Sequence, residues 1–143
     1  MQGRKIGSFV LILISLIIVA CSSADNTYQQ YKDMEAIAYQ GEAVYKAYKT
    51  SDYVAAKSAL LNYIKDLEKL IQAKHPEQFA FQTDILISYV RLAKLEALKN
   101  GAEKEFFMKK AEEQCSLLKP KQENCSSEKL RELVDKIDQV EPK

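Results

Sequence analysis

From Tyr28 onward, apolar residues recur at steps of three and four, and the 143-residue chain holds only four glycines and three prolines to interrupt them. That period belongs to helices with one buried face. A first helix from about Tyr28 to Lys49 places Tyr31, Met34, Ala38, Gly41, Tyr45 and Tyr48 on one side. Thr50 or Ser51 caps a second helix, with Asp52 in its first turn where the dipole favours an acid. Its stripe is Ala56, Leu60, Tyr63, Leu67 and Leu70, widened by Ile64 and Ile71. Lys74-His75-Pro76 interrupts the pattern, and Pro76 suits the first turn of a third helix. That helix carries Phe79, Leu86, Val90, Ala93 and Ala97 on one face, with Ile85, Tyr89, Leu92 and Leu98 beside them. Asn100-Gly101 ends it, the glycine being suited to the left-handed terminal position. A fourth helix covers about Ala102 to Leu118, with Phe106, Phe107, Ala111 and Cys115 apolar and Pro120 as its stop. A last one starts near Ser126 or Ser127 and buries Leu130, Leu133, Val134, Ile137 and Val140. Short connections make successive helices antiparallel neighbours. The expected fold is all-α, a four- to five-helix antiparallel bundle of helical hairpins.

The N-terminus follows a different rule. Arg4 and Lys5 precede an uncharged, mostly aliphatic run from Ile6 to Ala20, and small residues flank Cys21. This is the layout of a secretory signal. The run is shorter than the roughly 20 residues that span a bilayer core. Ile18-Val19-Ala20-Cys21 resembles the lipobox of bacterial lipoproteins. The resemblance covers about two dozen residues and implies cleavage before Cys21, lipid attachment at its sulfur and a palmitoylated mature protein. It divides the chain into a signal peptide (1–20), a lipidated tether (21–27) and a helical domain (28–143). Two or three acyl chains, as lipoproteins carry, anchor stably where one chain holds marginally. Ser22, not an Asp, follows the cysteine. In a Gram-negative host that implies the outer membrane, with the domain in the periplasm. A flexible tether of this length spans about 15 Å, which keeps the domain near the membrane surface.

Removing Arg4 and Lys5 from the 21 bases leaves 19 against 20 acids, net −1. A polyanion binder needs clustered excess base, so nucleic acid is not an expected partner. Cys115 and Cys125 are the remaining cysteines. In an exported protein such a pair reads as a disulfide, with two free thiols as the alternative. A bridge here would pin the last helix to the fourth. Two cysteines without a nearby histidine supply too few ligands for zinc, so no metal is expected.

Catalytic chemistry finds no constellation. The single histidine, His75, lies beside Pro76 and reads as a surface or loop-packing residue. There is no nucleophile elbow and no glycine-rich phosphate loop. Ser126-Ser127-Glu128-Lys129 has a Ser-x-x-Lys spacing but reads as a helix cap. Asn124-Cys125-Ser126 fits a glycosylation triplet, discounted because the cysteine is expected to be bridged. Carboxylates are interspersed with lysines, as on a solvated helical face. No enzyme activity and no cofactor are expected.

Two weaker signals remain. The segment around Ser51-Asp52-Tyr53, followed by Ala56, Leu60 and Tyr63, resembles a tetratricopeptide hairpin. It departs from that family in its 52-residue internal offset, far from the usual period of 34, and in lacking tryptophan. Six of the eight tyrosines fall between residues 28 and 53. Tyr28 and Tyr39 project away from the apolar stripe and are the candidate partner-binding residues, since exposed tyrosine is enriched at interfaces; packing on neighbouring side chains is the alternative. The expected role is a non-catalytic adaptor or assembly factor, lipid-anchored in the bacterial envelope and bound to an envelope protein. The alternative is a small-ligand binder whose pocket is lined by Tyr45, Tyr48, Tyr63 and Tyr89.

Overall fold

The computed structural model describes residues 6–118 and 124–140, with side-chain surroundings from residue 26 on. Five helices run in order: α1 (Ile6–Thr50), α2 (Tyr53–Gln72), α3 (Gln78–Leu98), α4 (Lys104–Leu117) and α5 (Ser127–Gln139). No strand occurs among the described residues. With a bond between Cys115 and Cys125, the expected all-α, disulfide-stapled bundle is present. Arg4, Lys5 and Pro120 lie outside the described residues, as does the side chain of Cys21. The chain divides into a first unit up to Ala38 and a second from Tyr39.

The first unit is the earlier part of α1. Helix begins at Ile6, so residues 21–27, expected as a flexible tether, are helical in the full chain. No glycine or proline between Gly7 and Gly41 interrupts it. Tyr31, expected on a buried face, is 67 % exposed, and Tyr28 is exposed too. Local pairs form instead: the Lys32 ammonium stands 4.9 Å above the Tyr28 ring, and Gln29 donates to Asp33 at 2.8 Å. Both are spaced four residues apart, the neighbour distance on a helix surface.

In the second unit the helices form hairpins. Gln40 of α1 donates to Asp66 of α2, Tyr63 of α2 to Asp84 of α3, and Lys57 of α2 to Glu96 of α3. Residue numbers that rise on one helix and fall on the next mark antiparallel neighbours. Leu86 lies near Leu130 and Arg91 near Asp138, so α3 and α5 run parallel. The centre is α3, which touches α2, α4 and α5. Phe81, Ile85, Leu86, Val90, Leu92, Ala93 and Leu95 bury positions all around it, as a helix enclosed by neighbours requires. Each large aliphatic or aromatic side chain so buried contributes about 1.5–3 kcal/mol.

The stripe of α2 lies buried as its spacing predicts, with Ala56, Leu60 and Leu67 at 0 % exposure. Other details differ. The cap of α2 is Asp52, whose carboxylate accepts the Ala55 N–H at 3.0 Å; Thr50 belongs to α1 and donates to the Lys46 carbonyl. On α3, Phe81 is buried and Phe79 is exposed; an entry turn reached through a proline is too short a sample for periodicity to orient. On α4, Met108 is buried and Phe106 half out. On α5, Leu133, Ile137 and Val140 are exposed, while Asp138 joins Leu130 and Val134 inside. Those three recur every four residues, a narrower stripe than the five apolar positions suggest.

Two helices end in the same way. At the end of α3 the Gly101 N–H reaches the Glu96 carbonyl at 2.8 Å and the Asn100 N–H the Ala97 carbonyl. At the end of α2, His75 reaches Leu70 and Lys74 reaches Ile71. Both are Schellman caps, whose turning residue is left-handed. That residue is Asn100 (φ 53°), not Gly101 as expected, and Lys74 (φ 57°). Gly101 serves another purpose: a Cβ there would stand 1.8 Å from a Glu96 carboxylate oxygen.

Candidate functional site

Three polar clusters tie the helices of the second unit together, and a cleft opens among α3, α4 and α5. The first cluster sits where α2 begins and α3 ends. Glu96 is 2 % exposed and accepts hydrogen bonds from the Tyr53 hydroxyl and from Lys57 at 2.7 Å. Lys57 also bridges to Glu103. The hydrogen bonds from Lys57 and then Tyr53 hold the Glu96 carboxyl below its usual range despite burial. Glu103 and Glu96 in turn raise the Lys57 pKa.

The second cluster joins α1, α2 and α3. The Tyr63 hydroxyl donates to Asp84 at 2.8 Å. Gly41 of α1 lies against that hydroxyl, and a Cβ at 41 would approach it to 2.8 Å. Burial raises the Asp84 pKa, against the hydrogen bond from Tyr63 and the charge of Arg91, which lower it.

The third cluster joins α1, α3 and α5. Asp138 accepts from Arg91 Nη2 at 2.6 Å and Nε at 3.1 Å, and its other oxygen lies 3.3 Å from Lys94. Lys94 also reaches Asp135 at 2.7 Å. Burial works against the charged form of Lys94, but Asp135, Tyr48 and Asp138 outweigh it and the net shift is upward. The Asp138 carbonyl accepts from the Tyr45 hydroxyl and from Lys49. The Arg91 guanidinium lies 4.8 Å from the Tyr45 ring centre and 5.4 Å from that of Tyr48.

These clusters are fully engaged: among the described residues every buried side-chain nitrogen or oxygen has a hydrogen-bond partner. The same residues include no group of three or more His, Cys, Asp or Glu placed to hold a metal ion. His75 is buried in its loop, with its ring 5.0 Å from that of Phe81 and Nδ1 accepting the Glu77 N–H. Ser126 makes no side-chain cap bond at the start of α5; Glu112 of α4 takes the Ser127 N–H and hydroxyl instead. The four tyrosines suggested for an interior pocket fall in three places. Tyr45 and Tyr48 flank Arg91, Tyr63 meets Asp84, and Tyr89 stacks 6.4 Å from Phe107.

The cleft has a volume of about 190 Å³. Phe79, Thr83 and Leu86 of α3 form one wall, Cys115 and Leu118 the floor at the end of α4, and Leu130 and Leu133 of α5 the other wall. Its size is below the roughly 300 Å³ at which small-molecule pockets begin. Asn124 and Lys129 also line the cleft, and its exposed apolar lining is Phe79, 49 % exposed, and Leu133, 47 % exposed. Ile137 and Val140 continue the exposed apolar line along α5.

Of the residues singled out by sequence, Cys115 and Cys125 are bonded, and Tyr28 and Tyr39 are both exposed, in the first and second unit respectively. Cys21 lies within α1. Sequence reasoning missed Asp138 and Glu96 by grouping carboxylates as solvated. A signal existed for Asp138, which falls four residues after Val134 and eight after Leu130, on the buried stripe. Among the described residues no helix is long and apolar enough to cross a membrane. No protein-family model matches the chain, and neither does any curated protein or solved structure.

Proposed function

We propose that this chain is a lipid-anchored envelope adaptor: Cys21 carries the lipid, and the bundle holds a partner protein without catalysing a reaction. The observation that carries the docking half is the cleft, where Phe79 and Leu133 stand half exposed, with Ile137 and Val140 exposed further along α5. Large apolar side chains exposed around a cleft mark an interaction site. Its size suits a large apolar side chain of an envelope protein better than a free metabolite. The polar clusters support the same reading, because each buried group in them is committed to a cross-helix bond. The anchor half rests on the sequence Ile18-Val19-Ala20-Cys21 after an aliphatic run. The outer membrane, facing the periplasm, is the proposed location in a Gram-negative host.

Metabolic labelling with an alkyne fatty acid tests the anchor. The full chain is expected to take label and sediment with membranes, and Cys21→Ala to lose both. Label retained by Cys21→Ala rejects lipidation at this residue.

A further inference from the structure

We propose that the Cys115–Cys125 bond is a redox latch that keeps α5 seated and the cleft assembled. Few other contacts hold α5. Of its thirteen residues, only Leu130, Val134 and Asp138 are buried. At its start Glu112 caps Ser127, and toward its end Asp138 meets Arg91 and Lys94, Lys94 also reaches Asp135, and Tyr45 and Lys49 donate to the Asp138 carbonyl. Between these polar ties lie two apolar side chains, a small area for a two-turn contact. A helix so attached belongs to the low-stability part of a fold.

The covalent tie is placed where it matters for the cleft. Cys115 forms part of the cleft floor, and two α5 residues, Leu130 and Leu133, form one wall. Cys115 is 1 % exposed, whereas Cys125 is only half-buried. A dithiol reductant therefore has its access at Cys125. Its thiolate attacks Cys125 Sγ, the Sγ–Sγ bond breaks, and Cys115 leaves as a thiolate that takes up a proton. The second thiol of the reductant then displaces Cys125 from the mixed disulfide. The reductant is oxidised to its own disulfide, and two electrons and two protons pass to the cysteine pair.

The bonded residues are 10 apart in sequence. Opening a loop of that size returns chain entropy equivalent to a factor on the order of a hundred in the seating equilibrium of α5. The contacts of α2 with α3 involve neither cysteine, so the loss is confined to α5 and the cleft wall that it carries. The release itself is independent of the adaptor reading; the further consequence, loss of partner docking on reduction, rests on that reading.

Hydrogen exchange of the full-length chain, oxidised and after dithiothreitol, tests the latch. Amides of α5 are expected to exchange on the order of a hundredfold faster after reduction, while those of α2 and α3 keep their rates. The variant Cys115→Ser/Cys125→Ser is expected to show the reduced pattern without reductant. Equal protection of α5 in both states overturns the proposal, and so does a loosening of all helices together. Crosslinking from the cleft wall, described at the end of the Discussion, judges the docking surface separately, so the two readings fail independently.

Discussion

Asp138 takes the Arg91 guanidinium on one carboxylate oxygen, 2.6 Å from Nη2 and 3.1 Å from Nε, with side chains only 7 % and 12 % exposed. Removing one member of such a pair leaves a buried charge without its partner. Asp138→Ala is expected to cost about 3 kcal/mol in urea unfolding of the oxidised protein. The double variant Arg91→Met/Asp138→Leu is expected to recover most of that, because the uncompensated charge goes too. A cost below about 0.5 kcal/mol for Asp138→Ala, the size of an ordinary surface change, contradicts the buried pairing.

Gly101 makes room for Glu96. A methyl at 101 would collide with the carboxylate at 1.8 Å and drive it from Lys57 and Tyr53. Gly101→Ala is expected to destabilise by about 2 kcal/mol. The same substitution made in a Glu96→Ala background is expected to cost far less. A double-mutant cycle gives the coupling directly; strict additivity would show that the two residues are independent.

Lys74 turns the chain after α2 with φ 57°, a conformation unfavourable for a side chain with Cβ. Lys74→Gly is expected to stabilise by about 1 kcal/mol and to raise Tm by a few degrees. Asn100 occupies the matching position after α3 and tolerates it better, so Asn100→Gly is expected to gain less. Calorimetry of the two variants ranks them.

Glu96, which is buried, and Asp84, which is half-buried, titrate with opposite effects on stability. Glu96 has a lowered pKa; its contribution is present above the ordinary value of 4.5 and is lost as pH falls through the folded-state value. Asp84 has a raised pKa; the folded state binds the proton more tightly, so stability falls as pH rises from 3.8 through the folded-state value. Asp84→Asn keeps an oxygen for Tyr63 and is expected to remove the second slope, leaving the first. Urea unfolding at a series of pH values from acid to neutral separates them.

How much of this was legible differs by residue. The α2 stripe Ala56, Leu60, Tyr63 and Leu67 could be read because every member is apolar and the helix meets its neighbours along most of its length. Asn100-Gly101 reads as a stop, but the roles are exchanged: either residue can turn left-handed, and only the position of Glu96 decides which must lack a Cβ. On α5 the five apolar residues gave the right helix and the wrong width. Leu133 lines the cleft and Ile137 and Val140 are exposed, while Asp138 is drawn inside by Arg91 and Lys94, cations 47 and 44 positions away in sequence. A cleft built from α3, α4 and α5 depends on such long-range placement, which no local period encodes. The cysteine pair was legible because the signal-like N-terminus implies export, where two cysteines close in sequence read as a disulfide.

The adaptor account is tested most directly by a photo-crosslinking amino acid placed at Leu133 in the full-length chain in cells, with Lys109 on the exposed side of α4 as the comparison site. The account predicts one discrete adduct with an envelope protein from position 133, absent from position 109 and lost in Cys21→Ala. A membrane-held protein that yields no adduct from 133, or the same adducts from both positions, would contradict it.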